Sequence, residues 1–173
     1  MKIACYASGS VGTNCYVVSD DAGVTAIIDC DGNPAPLFSY IEKNELKPTH
    51  ILLTHGHFDH IWGSNQLRQL SGTQIRAYQE EKQVCEDAEK NVSAQVGRPY
   101  TVIPDVYLED GAEITIADMS CRLIATPGHT AGSCCYYFKE AGILISGDTL
   151  FQSSVGRTDL PTGSMGTLVR SIK

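Results

Sequence analysis

The sequence feature that most constrains this fold is a short apolar run that ends in a cluster of histidines. The run Ile51-Leu52-Leu53 leads directly into the segment 54–60, which holds three of the five histidines of the chain and one aspartate. A run of this length and composition predicts a buried β-strand. The polar cluster therefore lies at the carboxyl end of a strand and in the loop after it, where α/β proteins commonly build their sites.

The spacing within this segment predicts a metal site with two sub-sites. His55 and His57 are two residues apart, so their side chains can point to one side of an extended backbone. Asp59 and His60 follow at the beginning of a predicted helix. His50, by contrast, precedes the apolar run, and we interpret it as a structural histidine.

Length and charge limit the class of protein. The 173 residues predict a single domain, 1–173, with a sizeable core. The net charge of −7 argues against nucleic-acid binding, which needs a basic face. We expect no signal peptide and no membrane span, and the seven cysteines include no Cys-x-x-Cys pair. These features predict a cytoplasmic protein with reduced thiols and no membrane partner. The sequence does not indicate an oligomeric state.

Apolar runs and turn residues predict many short strands with helices between them. The predicted strands cover residues 2–6, 14–18, 25–29, 51–53, 74–78, 106–108, 114–116, 121–125, 133–138 and 142–146. Helices are predicted at 36–45, after the histidine cluster up to Gly72, at 80–96, and from Ser164 onward. Segment 80–96 is polar, so we expect an exposed helix there. This order favours two sheets sandwiched between helices.

Two further polar clusters follow predicted strands. In the segment 126–133, a Pro-Gly turn places His129 on a loop between two strands, and Asp148 follows the strand 142–146. Taken alone, each has an ordinary interpretation as a loop histidine or a turn aspartate. Three buried strands that each end in His or Asp favour a shared metal site, because Zn²⁺ and Fe²⁺ bind imidazole and carboxylate groups. A fourth cluster, 156–161, has no predicted strand before it.

These clusters together predict two metal ions. One ion would be held by three histidines, namely His55, His57 and His129. Asp59 and His60 would begin a second sub-site, which Asp148 could join. Two ions about 3.5–4 Å apart can share a hydroxide at neutral pH, which combines a nucleophile with a Lewis acid.

The three clusters resemble the motifs of the metallo-β-lactamase superfamily. The matching segments are Thr-His-x-His-x-Asp-His at 54–60, Thr-Pro-Gly-His-Thr at 126–130 and Gly-Asp-Thr-Leu-Phe at 147–151, in the family's order over nearly the whole chain. The resemblance implies an α/β fold, a four-layer αβ/βα sandwich of two sheets with helices outside. Within the superfamily, residues 130–133 and 147–160 are most similar to glyoxalase II and the small hydrolases like it.

The resemblance also implies a ligand set and a reaction. The implied ligands are His55, His57 and His129 for metal 1, Asp59 and His60 for metal 2, and Asp148 as the bridge. Two divalent ions are expected, zinc first, with iron or manganese as alternatives. The implied reaction is hydrolysis of a thioester or related small acyl substrate by a metal-bound hydroxide, which catalytic Asp59 helps to orient. Because residue 148 is Asp where some β-lactamases have Cys, we do not expect a lactam substrate.

Two departures from the family pattern bear on function. The family has a further metal-2 histidine after the helix that begins near Ser164, and this sequence stops before it. We therefore expect the chain to be C-terminally incomplete, without the family's last strand and helix. Arg157 matches a basic position that could bind a substrate carboxylate, but Thr158 and Asp159 replace the aromatic residues of glutathione recognition. Pairing of Arg157 with Asp159 or a backbone carbonyl is an equal alternative.

Two other functions stay open. The segment 156–159 also resembles mononuclear iron persulfide dioxygenases of the same superfamily, which would be oxidoreductases that use His55, His129 and Asp148. The third interpretation is an inactive or partner-dependent remnant. One iron with sulfide-dependent O₂ uptake would favour the dioxygenase, whereas two metals with thiol release would favour the hydrolase.

Overall fold

A six-stranded mixed sheet forms one half of the computed structural model, which describes residues 1–9 and 11–173. Its strands are β1 (Lys2–Ser8), β2 (Thr13–Ser19), β3 (Val24–Ile28), β4 (Lys47–Leu52), β5 (Ile75–Tyr78) and β6 (Val106–Leu108). They lie side by side in chain order. β1 to β3 pair antiparallel, and β3 to β6 pair parallel. Parallel neighbours need crossover connections, which is why helices lie between the later strands.

A four-stranded antiparallel sheet forms the other half. Its strands are β7 (Glu113–Ile116), β8 (Met119–Ala125), β9 (Cys134–Phe138) and β10 (Ile143–Ile145), and their order across the sheet is β10-β9-β8-β7. A small hairpin of β11 (Leu150–Phe151) and β12 (Ser154–Val155) follows. The loops β8–β9 and β10–β11 carry the second and third polar clusters.

The helices lie on the outer sides of the two sheets. They are α1 (Ala35–Lys43), α2 (Phe58–Ile61), α3 (Ser64–Ser71), α4 (Lys82–Cys85) and α5 (Met165–Ile172). Leu37 of α1 and Leu67 of α3 pack on one face of the first sheet. On α5, Leu168 is fully buried, and Ser171 Oγ donates a hydrogen bond to the carbonyl of Pro127, 2.8 Å away, in the β8–β9 loop. The predicted four-layer order of helix, sheet, sheet and helix is confirmed.

The two buried faces of the first sheet explain its unbroken apolar runs. In β4, Ile51 faces the helices while its neighbour Leu52 faces the second sheet. Ile27 and Ile28 of β3 divide in the same way. A parallel strand with both faces covered has a continuous run of hydrophobic residues, without the alternation of polar and apolar residues seen in a half-exposed strand. This burial fixes the end of β4 rigidly, directly before the histidine cluster.

The prediction of an exposed helix at 80–96 is wrong. The described structure has a 3₁₀ turn at 79–81, the single turn of α4, and then a series of turns. Polar side chains of this segment are buried, and Asn91 is fully enclosed by hydrogen bonds to Ser93 N (2.9 Å) and Tyr100 O (2.7 Å). Val92 has a φ of 71°, which no α-helix tolerates. Hydrogen bonds between buried polar groups order this segment. Its sequence therefore has no apolar periodicity from which the structure could be predicted.

Two other sequence expectations concern thiols and membranes. All seven cysteines are free thiols, as expected, and all but Cys5 are buried. Among residues 1–9 and 11–173, no helix has the length and apolar character that crossing a membrane requires. The single-domain assignment and the expected continuation beyond residue 173 stay predictions.

Candidate metal centre

Loops after three strands, together with helix α2, bring the predicted ligands to one edge of the two sheets. The β4–α2 loop carries His55 and His57, α2 carries Asp59 and His60, the β8–β9 loop carries His129, and the β10–β11 loop carries Asp148. These residues are therefore close in space although up to 93 positions apart in sequence (148 − 55). His50, interpreted as structural, lies within β4, and its Nδ1 is 2.9 Å from Thr49 Oγ1.

Three buried imidazoles form the first sub-site. His57 Nδ1 lies 2.9 Å from His129 Nε2, which lies 3.2 Å from His55 Nε2. Tetrahedral zinc with Zn–N bonds of about 2.0–2.1 Å places its ligand atoms about 3.3 Å apart. The spacing of these three nitrogens therefore fits a single metal ion.

The electrostatics of the first sub-site also fit a cation. Burial lowers the pKa of His55 well below its usual value and the pKa of His57 to about 3, and the neighbouring imidazoles lower both further. Burial lowers the pKa of His129 as well, although Asp148 opposes it. Neutral rings in this arrangement turn nitrogen lone pairs toward one another. A metal ion between them converts that repulsion into coordination.

The second sub-site combines one histidine with carboxylates. His60 Nε2 lies 3.3 Å from Asp148 Oδ1 and 3.4 Å from Asp59 Oδ2. The other oxygen of Asp148, Oδ2, lies 3.5 Å from His129 Nε2 in the first sub-site. His55, His60 and Asp148 form a second group whose ligand atoms all lie within 4.8 Å of one another. Asp148 thus faces both sub-sites, as the predicted bridging role requires.

His60 lies among the carboxylates of the second sub-site and opposes their negative charge. Burial lowers the pKa of His60, but the carboxylates of Asp29, Asp148 and Asp59 outweigh burial and raise it well above its usual value. Burial raises the pKa of Asp148, and His60 reverses that shift, so the pKa is lowered overall. The lowered pKa of Asp148 and the raised pKa of His60 favour an ionised carboxylate beside a protonated ring. A divalent ion can take over the positive charge that this ring supplies.

Asp29 is a site residue that the sequence analysis missed. Its Oδ1 accepts a hydrogen bond from the backbone N–H of Thr54 (2.8 Å), and its Oδ2 accepts one from Thr54 Oγ1 (2.7 Å). Oδ2 also lies 2.8 Å from His60 Nδ1, which turns Nε2 of that ring toward the second sub-site. Hydrogen bonds of this kind fix the tautomer and orientation of a ligating histidine. Asp29 follows the buried strand β3, so the strand-end rule that identified Asp148 could also have found it.

Arg157 contacts the site through its backbone. Its carbonyl oxygen lies 2.7 Å from His129 Nδ1, which leaves Nε2 of that histidine directed at the first sub-site. Its guanidinium is exposed and donates two hydrogen bonds of 2.7 Å to the carboxylate of Asp159. The alternative pairing with Asp159 is therefore present, and substrate binding by Arg157 stays a prediction. The segment 156–161 follows the two-residue strand β12, which the sequence analysis did not predict.

A cleft opens beside the second sub-site. Its volume is about 430 Å³, and its walls include Asp59, His60 and Asp148 together with neutral side chains such as Asn14, Tyr16 and Phe151. Thr13 Oγ1, also in the wall, donates a hydrogen bond of 2.5 Å to Asp59 Oδ2. A cleft of this size accommodates a small-molecule substrate.

Glu81 is a second residue that the sequence analysis missed. It is 1% exposed, and its two carboxylate oxygens accept hydrogen bonds from Gly56 N, Thr130 Oγ1 and Gly132 N. Burial raises its pKa to about 7 against the effect of these bonds. Because Glu81 lies in the segment predicted as an exposed helix, no sequence signal pointed to it.

Comparison with known proteins agrees with the family resemblance of the three sequence motifs. A family model for the metallo-beta-lactamase superfamily matches residues 9–173. The chain belongs to the metallo-beta-lactamase superfamily. Divalent metal binding is a property of this superfamily, and the histidines and aspartates described above are the candidate ligands in this member.

Relatives and a solved structure cover nearly the whole chain. It is 39% identical over 167 residues to the probable metallo-hydrolase YqgX of Bacillus subtilis (strain 168), covering 95% of this chain and 78% of YqgX. It is 34% identical over 163 residues to the hydroxyacylglutathione hydrolase GloC of Haemophilus influenzae, covering 92% of this chain and 77% of GloC. The crystal structure of BLEG-1 B3 metallo-beta-lactamase matches with a TM-score of 0.94 and 35% identity, over 99% of this chain and 83% of that one.

Proposed function

We propose that this protein is a metal-dependent hydrolase of thioesters or related acyl compounds, similar to glyoxalase II. The observation that carries the proposal is the convergence of His55, His57 and His129 on one point, with Asp148 directed at both sub-sites. When bound, two divalent ions supply a nucleophile at neutral pH and a Lewis acid for the carbonyl oxygen. We propose zinc as the metal, because a set of three imidazoles with a carboxylate suits it.

In this proposal the residues of the chain bind and orient the reactants. The cleft of about 430 Å³ receives the acyl substrate beside the second sub-site. Asp59, held by Thr13, orients the attacking water and accepts its proton, which passes to the thiolate that leaves when the C–S bond breaks. Arg157 is proposed to meet a substrate carboxylate, for which it must leave Asp159.

Similarity to the hydroxyacylglutathione hydrolase GloC supports a thioester substrate. The seven free thiols support a cytoplasmic location, since disulfides are rare in a reducing compartment.

The first prediction concerns Asp59 and thiol release. Asp59→Asn keeps the size of the side chain and removes the proton acceptor, so thioester hydrolysis should fall by about a hundredfold or more. The measurement is thiol released from S-lactoylglutathione and from an uncharged acyl thioester, with metal content and circular dichroism recorded for each variant. The matched control is Asp118→Asn at an exposed position, which should retain full activity. Full turnover by folded, metal-loaded Asp59→Asn would contradict the role.

A mononuclear iron persulfide dioxygenase is the second candidate function. It is favoured by the short contacts from His129 Nε2 to His55 Nε2 (3.2 Å) and to Asp148 Oδ2 (3.5 Å), a set that could hold one iron. The same samples would separate the two candidates in an oxygen electrode supplied with a glutathione persulfide. Oxygen uptake with one iron per chain would replace the hydrolase proposal. A chromogenic cephalosporin tests the expectation that a lactam is not hydrolysed.

A further inference from the structure

The two loops that carry the ligands of the first sub-site come from different sheets. His55 and His57 follow β4 of the first sheet, whereas His129 lies between β8 and β9 of the second. The loops are joined ahead of His55, where Cys134 N donates a hydrogen bond to the Thr54 carbonyl (2.9 Å). That bond lies before His55, so it does not fix the distance between the segment after His55 and the β8–β9 loop.

Glu81 joins the loops on that far side. Its Oε1 accepts a hydrogen bond from the N–H of Gly56 (2.7 Å), the residue between His55 and His57. Its Oε2 accepts hydrogen bonds from Thr130 Oγ1 (2.9 Å) and Gly132 N (2.8 Å) in the β8–β9 loop. One oxygen therefore holds each loop, and a single rigid carboxylate spans the gap between them.

Close backbone packing supports the same role independently. A Cβ added to Gly56 would lie 2.8 Å from the backbone nitrogen of Cys85, and a Cβ added to Gly132 would overlap the backbone of Glu81 itself. The segment 79–85 is thus wedged between the two loops, in contact with a glycine on each side. A shift of Glu81 would be transmitted directly to both loops, because no side chain intervenes to absorb it.

We propose that Glu81 is a positioning residue that fixes the separation of the two loops and thereby sets the metal affinity of the three-histidine sub-site. The inference rests on the metal site of the proposed function. Glu81 acts through the N–H groups of Gly56 and Gly132 and the hydroxyl of Thr130, and it is not itself one of the candidate metal ligands. Burial raises the pKa of Glu81 to about 7, which reflects the free-energy cost of burying a carboxylate. The fold nevertheless keeps this carboxylate between the two loops that it joins.

The test compares two neighbouring glutamates. Glu81→Gln has nearly the same shape, but its amide NH₂ cannot accept a hydrogen bond from a backbone N–H, so one loop loses its acceptor whichever way the amide turns. Glu80→Gln removes the same charge at an exposed position and is the matched control. Zn²⁺ affinity is measured by competition with a chromophoric chelator, and the Co²⁺ absorption spectrum reports ligand geometry at the first sub-site.

We expect Glu81→Gln to weaken binding of the tighter ion by about 10–100-fold and to change the Co²⁺ spectrum. Glu80→Gln should match the wild type within about twofold, because substitutions at exposed positions usually have small effects. Thr130→Val removes one bond to the carboxylate, together with the contact to Ser133 Oγ (2.6 Å), and leaves the charge of Glu81 in place. It should therefore weaken binding in the same direction by a smaller factor. Combined with Glu81→Gln its effect should be less than additive, because both changes act on one contact.

Unchanged Zn²⁺ affinity in folded Glu81→Gln, or a loss of apoprotein stability alone, would overturn the positioning role. If Glu81→Gln does not fold, unchanged affinity in Thr130→Val would overturn it as well. A wild-type protein that binds no divalent ion overturns both this inference and the proposed function. A wild type that binds two ions without releasing thiol overturns the hydrolase alone, and the affinity difference at Glu81 still decides the inference.

Discussion

At the scale of single residues, the site is built from buried charges that each have a partner. Asp29 is 1% exposed, and both of its oxygens are used, by Thr54 and by His60. It has a φ of 59°, a left-handed conformation that aspartate and asparagine tolerate better than most residues. Its carboxylate thus connects the two sub-sites. It binds Thr54, the residue before His55 of the first sub-site, and it binds His60 of the second.

The residue-scale prediction replaces Asp29 by asparagine. Asn tolerates the same backbone conformation and keeps the size, but it loses the charge that raises the pKa of His60 and has only one acceptor oxygen for three donors. We expect the second ion to bind about 10–100-fold more weakly, while the first is affected less. Metal content after dialysis measures the effect, with the exposed Asp118→Asn as control. Retention of both ions at wild-type affinity would contradict this role of Asp29.

At the scale of elements, the site depends on a segment that is neither helix nor strand. The carbonyl of Asn91 accepts a hydrogen bond from Phe58 N (2.9 Å), the first residue of α2, and so holds the helix that carries Asp59 and His60. Asn91 is held in turn by Ser93 and Tyr100 through its side chain. The turns after α4 therefore stabilise α2 from outside.

The element-scale prediction concerns the side chain of Asn91. Asn91→Ala removes two buried hydrogen bonds and leaves Ser93 N unpaired, so the free energy of unfolding should fall by about 1–3 kcal/mol. Urea denaturation measures the change. Gln95→Ala, exposed in the same segment, serves as the control and should stay within about 0.5 kcal/mol of the wild type. Equal stability of the two variants would show that the Asn91 amide does not order these turns.

At the scale of the whole molecule, most strands and the clustering of the candidate ligands were predictable because they follow local rules. The end of β4 is apolar on both faces, so the apolar run stops visibly at Leu53, two residues before His55. The same strand-end rule pointed to His129 and Asp148. The assignment of β3 and β8 to separate sheets was not predictable from such runs, because strand pairing depends on distant residues. Glu81 and Asn91 were missed for a different reason: buried hydrogen bonding leaves no periodic pattern in the sequence.

The most direct test of the account is thiol release measured while metal-free protein is titrated with Zn²⁺. The account predicts no thioester hydrolysis by the apoprotein and activity that rises with added Zn²⁺ to a plateau at two ions per chain. Hydrolysis by the metal-free protein at the rate of the loaded one would contradict the central claim that the histidine and aspartate cluster acts through bound metal.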